Sequence, residues 1–110
     1  MHLLLYYVVT LLLVPSVTTD TAHIEIKRWM NYTQCIGQLI AYNVQCPRDE
    51  LHAYMFDKTC GERKIKSAIE TMRKAIEGVK LYTFEHVGRS VCILDMQTDT
   101  VVFKCEIDSS

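Results

Sequence analysis

Five cysteines, Cys35, Cys46, Cys60, Cys92 and Cys105, and three of the four histidines, the well-separated His23, His52 and His86, are the residues most able to do chemistry in this chain. Cysteine can act as a nucleophile when a histidine lies beside it, and Cys46 with His52 or His86 is the pairing to consider. Histidine and cysteine can also hold zinc, but no H-x-x-x-H or C-x-x-C…H spacing occurs here. Asp95, Asp99, Glu106 and Asp108 are scattered carboxylates of the kind that solvent normally covers. G-x-S-x-G, P-loop, dinucleotide-binding and calcium-loop patterns are all missing. The expectation is a non-enzymatic chain without metal or cofactor.

What the cysteines do depends on compartment. Residues 3–14 are almost continuously apolar, and Pro15-Ser16 and small polar residues follow. Twelve residues are too few to cross a bilayer, which takes roughly 20, but they suit the apolar part of an export signal. The expected division is a signal peptide over 1–19 and one secreted domain over 20–110, with no membrane span. In that compartment cysteines oxidise, and Asn31-Tyr32-Thr33 becomes an N-glycosylation sequon with Asn31 as acceptor. About 90 residues build only a marginal core, so disulfide staples are expected.

The elements that position these groups follow from periodicity. Residues 28–45 carry Trp29, Ile36, Leu39, Ile40 and Val44 at helical spacing, and Cys46-Pro47 ends the run. Pro47 suits the start of a second helix, with Leu51, Tyr54, Met55 and Lys58 on one face and Gly61 as its stop. A third helix over 62–77 has the stripe Ile65, Ala68, Ile69, Met72, Ala75 and Ile76. After Gly78 the composition turns to Val, Tyr, Thr and Phe, predicting strands at 80–87, 90–96 and 100–107. The expected fold is therefore α+β: about three helices followed by a C-terminal hairpin or three-stranded antiparallel sheet.

Two disulfides are expected from this arrangement. Met96 facing Val101 and Leu94 facing Phe103 would set Cys92 opposite Cys105. Folding the second helix back at Pro47 would bring Cys60 to the depth of Cys35, whereas Cys35 and Cys46, eleven residues apart on one helix, lie about 16 Å apart along its axis. Cys46 is left either buried and unpaired or joining two chains as a disulfide-linked homodimer.

The net charge of −1 excludes the large basic excess of a nucleic-acid binder. Charge is nevertheless uneven. From residue 58 to 80 there are seven basic and three acidic residues, and from 81 onward two basic and five acidic. Arg63, Lys64, Lys66, Arg73 and Lys74 form a basic face that either is simply solvated or docks an extracellular protein or acidic glycan.

Gly78-Val-Lys-Leu-Tyr-Thr-Phe-Glu-His-Val-Gly88-Arg89-Ser90-Val-Cys92 resembles the middle of a secreted cystatin, where a glycine ends the inhibitory Q-x-V-x-G hairpin and a G-R-[ST]-x-C segment opens the disulfide region. The resemblance covers residues 74–105. Lys74-Ala-Ile-Glu-Gly78 stands at the Q-x-V-x-G position, so it implies an inhibitory loop carried by Lys74, Ile76 and Gly78 and inhibition of papain-like cysteine proteases. The residues themselves point to a secreted binding protein of the venom, salivary or reproductive-fluid type acting on an extracellular partner. A third alternative is a carrier of a small hydrophobic ligand, with a cavity among Trp29, Ile36, Ile40, Ile69, Met72 and Phe103.

Overall fold

The structure, a computed structural model, describes residues 16–18 and 22–106. In chain order the elements are β1 (Ser16–Thr18), β2 (Ala22–Arg28), a 3-10 turn (Trp29–Asn31), α1 (Tyr32–Gln45), β3 (Glu50–Phe56), a second 3-10 turn (Lys58–Cys60), α2 (Glu62–Ala75), β4 (Lys80–Val87), β5 (Ser90–Asp95) and β6 (Thr100–Glu106). One six-stranded sheet runs β1 to β6 in sequence order. β2, β3 and β4 are parallel to one another, and the remaining pairs are antiparallel. Two consecutive β–α–β crossovers thus lead into an antiparallel meander. Residues 1–15, the bulk of the expected leader, lie outside the described residues, while 16–18 of it form β1.

A single apolar cluster explains the layering. Cys35 and Leu39 of α1, Ala68 and Met72 of α2, Leu51, Ala53 and Met55 of β3, and Leu81 of β4 are buried together with Trp29, Ile76 and Val79. Both helices therefore cover the same face of the sheet. In β3 the alternation is clean: Leu51, Ala53 and Met55 are buried and His52, Tyr54 and Phe56 half-buried. α1 stops where Pro47 forces Cys46 out of the helical region, to φ −131° and ψ 71°. α2 begins after Gly61, whose φ of 96° is open to glycine and costly for other residues.

This architecture corrects the expected one. Among the described residues there are two α-helices rather than three, the sheet is mixed, and the stretch after Pro47 is the strand β3. Leu51, Tyr54 and Met55 fit a helical face, but Leu51, Ala53 and Met55 fit a pleated one equally well. Pairing to β2 on one side and β4 on the other decides between them. β4, β5 and β6 pair antiparallel, but as one side of the six-stranded mixed sheet rather than as a separate C-terminal sheet, since β4 also pairs parallel with β3.

The expected disulfides are absent as well: among the described residues no two cysteines lie at bonding distance. β3 runs parallel to β2 and returns the chain to the end where α1 begins, so Cys60 packs at the edge of the core cluster that holds Cys35, but the two are not at bonding distance. In the hairpin a bulge shifts the register, pairing Leu94 with Val101, Ile93 with Phe103 and Cys92 with Lys104. Cys105 pairs with Val91. A one-residue slip moves a side chain to the other side of the sheet, so Cys92 and Cys105 sit on opposite faces. At the other turn, β4 and β5 are joined by Gly88-Arg89, with Gly88 at φ 62° in the first central position.

One polar connection ties the crossover to the sheet. Trp29 is fully buried, and its Nε1–H donates to Thr83 Oγ1 (3.2 Å). The Thr83 hydroxyl in turn donates to the Met55 carbonyl (3.2 Å). Thr83→Val keeps the shape but strips the indole of its acceptor, and is expected to cost about 1–3 kcal/mol. Urea unfolding followed by Trp29 fluorescence measures it; unchanged stability would show that the indole N–H finds another partner.

Candidate functional site

The helices cover one face of the sheet, and the opposite face carries a row of rings. Alternation puts His52, Tyr54 and Phe56 of β3 there, and register adds Tyr82 and Phe84 of β4. The Tyr54 and Tyr82 rings stack with centroids 4.6 Å apart and planes 18° from parallel. His52 adds to the row at 5.8 Å from Tyr82, and Phe84 lies tilted at 6.1 Å from Tyr54. Side chains on adjacent strands at this separation meet face to face. The ring faces are thus used on one another. That arrangement suits contact with a protein surface better than the stacking of bases or sugar rings, which needs open ring faces. His52, Tyr54, Phe56, Tyr82 and Phe84 are all half-buried.

Charged pairs frame this row. At one end His52 Nε2 lies 3.1 Å from Glu50 Oε2, and Lys80 Nζ lies 3.6 Å from Glu50 Oε1. The His52 contact, followed by the Lys80 charge, holds the Glu50 carboxyl below its usual range. At the other end Arg28 ion-pairs with Asp57 and sits 5.3 Å from the Phe56 ring centroid, a cation–π contact. Hydrogen bonds from Thr59, with the Arg28 charge after them, hold the Asp57 carboxyl low. Lys58 pairs with Glu85 nearby. Tyr82 is pushed up, chiefly by burial and then by the Asp95 charge. The result is an aromatic centre with a polar rim.

A second polar group lies on the covered side. His23 and Glu25 are buried, contact each other, and project beneath α1. The Tyr42 ring stacks on His23 at 4.0 Å, and the Tyr42 hydroxyl donates to Asp49 Oδ2 (2.7 Å). The Cys35 thiol is fully buried, and burial, followed by the Glu25 charge, pushes its pKa up to about 12. A thiol so placed stays protonated at neutral pH and is no nucleophile.

The other sequence candidates are dispersed. Cys46 closes α1, its N–H donating to the Tyr42 carbonyl (2.9 Å); His52 belongs to the ring row, and His86 is exposed toward the end of β4. Asn31 is exposed immediately before α1. Arg63, Lys64, Lys66, Arg73 and Lys74 are all exposed on α2, and Arg73 Nη2 donates to the Met96 carbonyl (2.9 Å). Lys74 is in the last turn of α2, Ile76 is buried and Gly78 lies in the turn to β4 at φ 75°. This stretch is a helix end packed on the core rather than a projecting hairpin. Trp29 and Met72 are core residues with Ile36 and Ile69 packed against the same cluster, while Ile40 and Phe103 are 43% and 45% exposed on α1 and β6, so two of the six carrier candidates lie apart from the rest. Asp95 Oδ1 caps its own turn through the Gln97 (2.8 Å) and Thr98 (3.4 Å) N–H groups. Asp108 is outside the described residues. Among the described residues no group of His, Cys, Asp and Glu is placed to hold a metal ion, and no helix is long and apolar enough to cross a membrane.

The ring row escaped the sequence reading because residues 50–56 read as helix. The signal was present in the strict alternation of Leu51, Ala53 and Met55 with His52, Tyr54 and Phe56. No family model, curated protein or solved structure matches the chain.

Proposed function

We propose that this chain is an exported, non-enzymatic binding module that docks an extracellular protein through the face of its sheet opposite the two helices. The observation that carries this reading is the half-buried row His52–Tyr82–Tyr54–Phe84, covered by neither helix and framed by the Arg28–Asp57 and Glu50–Lys80 pairs. Tyrosine and arginine dominate the energetically important positions of protein interfaces, where an aromatic centre sits inside a polar rim. Export is supported by the apolar run at 3–14 and by the exposed Asn31 of the sequon. Cleavage after Thr19 would remove β1 and make β2 the edge of the sheet.

Site-specific photocrosslinking tests the docking face. Benzoylphenylalanine placed at Tyr54 or Tyr82 keeps an aromatic ring in the row, and the same group at the exposed Thr71 of α2 is the control. In extracellular fluid from the source, positions 54 and 82 are expected to yield the same discrete protein adduct, and position 71 none. Equal labelling at all three positions, or none at 54 and 82, would sink the assignment of this face.

A further inference from the structure

Three of the twelve lysines and arginines have an ion-pair partner among the described residues; of the nine without one, Lys27, Arg48, Arg89 and Lys104 are scattered and five share α2. Arg28, Lys58 and Lys80 are each matched by a carboxylate, from Asp57, Glu85 and Glu50 respectively. Arg63, Lys64, Lys66 and Lys74 have no ion-pair partner among the described residues, although Glu62 and Glu70 share their helix. With Arg73, α2 carries five cations against two carboxylates, a local excess of +3 on a chain of net charge −1. Three of the five, Arg63, Lys64 and Lys66, sit near the helix start, where the macrodipole disfavours positive charge. Stability alone would place carboxylates there.

The surface also lacks what a protein partner would grip. The large exposed apolar side chains are Met30, Ile40, Val44, Val87, Val101, Val102 and Phe103, and none belongs to α2. Around its solvent side are Arg63, Lys64, Lys66, Ser67, Glu70, Thr71, Arg73 and Lys74, with no aromatic or aliphatic anchor. From residue 63 to residue 74 the helix extends about 16 Å, enough to lay cations along a linear polyanion. A polyanion needs no apolar pocket, because its binding is driven by charge neutralisation and release of counterions. We propose that the exposed face of α2 binds a sulfated polysaccharide. The choice of a sulfated glycan over other polyanions rests on the export reading; the surface itself is separate from the ring row.

Heparin affinity measured as a function of salt at pH 7 tests this on the full chain. Wild type is expected to bind near physiological salt, with log affinity falling linearly as log salt rises. The triple variant Arg63→Ser, Lys64→Ser, Lys66→Ser should lose at least tenfold in affinity and show a shallower salt slope. Lys74→Ser should lose a smaller factor, and Lys104→Ser, which removes an exposed cation of β6 outside α2, should change little. Circular dichroism confirms that each variant is folded. Absence of wild-type binding, an unaltered triple variant, or a loss as large in Lys104→Ser would each overturn the proposal. Duplex DNA bound as tightly as heparin would overturn the assignment of a glycan. None of these variants alters Tyr54 or Tyr82, so failure here and failure of the protein-docking face are read separately.

Discussion

Trp29→Ala is expected to remove about 3–5 kcal/mol of folding stability, the range for deleting a large buried aromatic. Trp29 is the fully buried residue at the start of the first crossover, where the chain leaves β2 for α1. It packs in the same cluster as Leu39 of α1, Met55 of β3 and Met72 of α2, so its loss opens a void shared by both helices and the sheet. Such interiors relax only partly around a void, which adds to the lost transfer energy. The Thr83 hydroxyl would also lose its donor, though it retains the Met55 carbonyl as acceptor. Because the chain has a single tryptophan, urea unfolding of this variant must be followed by far-UV circular dichroism. Trp29→Phe keeps most of the volume and loses only the indole N–H, so it should cost clearly less. Equal costs for the two variants would show that the hydrogen bond, not the volume, dominates at this position. A small domain has only about 5–15 kcal/mol in total, so the alanine variant is expected to be marginal or partly unfolded at 37 °C.

The legibility of this fold in its sequence varied with how local the deciding interactions are. α2 is readable because Ile65, Ala68, Ile69 and Met72 make a stripe that only a helix can bury, with charged residues around the rest. β4 and the β5–β6 hairpin are readable from their Val, Tyr, Thr and Phe content and from the polar turn between β5 and β6. β2 is not, because its inward positions hold His23, Glu25 and Lys27, so the usual apolar-in, polar-out signal is inverted there. Ile24 and Ile26 alternate correctly, but on the face without helices. β3 is ambiguous over seven residues, and its strand state is set by neighbours that are distant in sequence.

The hairpin register shows the same limit at finer scale. Hydrophobic alternation and cysteine pairing favoured one register, yet a single bulge residue changes which cysteine faces which way. Periodicity cannot see a bulge, because it depends on local twist rather than composition. The candidate site inherits these errors. A helix over residues 50–56 would leave Tyr54 with no strand neighbour, so only the strand β3 aligns it with Tyr82. The basic positions of α2 were readable because that helix was; what required the structure was knowing which cations are paired.

The inverted face of β2 carries the second large prediction. His23 and Glu25 lie two residues apart on the buried side of the strand, in contact with each other and covered by Tyr42. Removing one member leaves the other buried without its principal contact, so His23→Ala is expected to cost about 3–5 kcal/mol. The loss of the Tyr42 stack contributes to that figure. Replacing both with apolar residues of similar size, His23→Leu with Glu25→Met, removes the unsatisfied group as well as the pair. Buried pairs replaced in this way are often neutral or even stabilising, so the double variant should be more stable than His23→Ala despite carrying more changes. Chemical denaturation of wild type, the single variant and the double variant gives the ordering directly. A double variant less stable than His23→Ala would mean that the pair is held by further polar contacts beneath α1, with Asp49 and Tyr42 as the first to examine. If the expected ordering holds, the pair contributes little net stability. Because both residues belong to β2 and move together in any register, their mutual contact does not itself align β2 with β3; what a one-residue slip would change is which of them α1 covers.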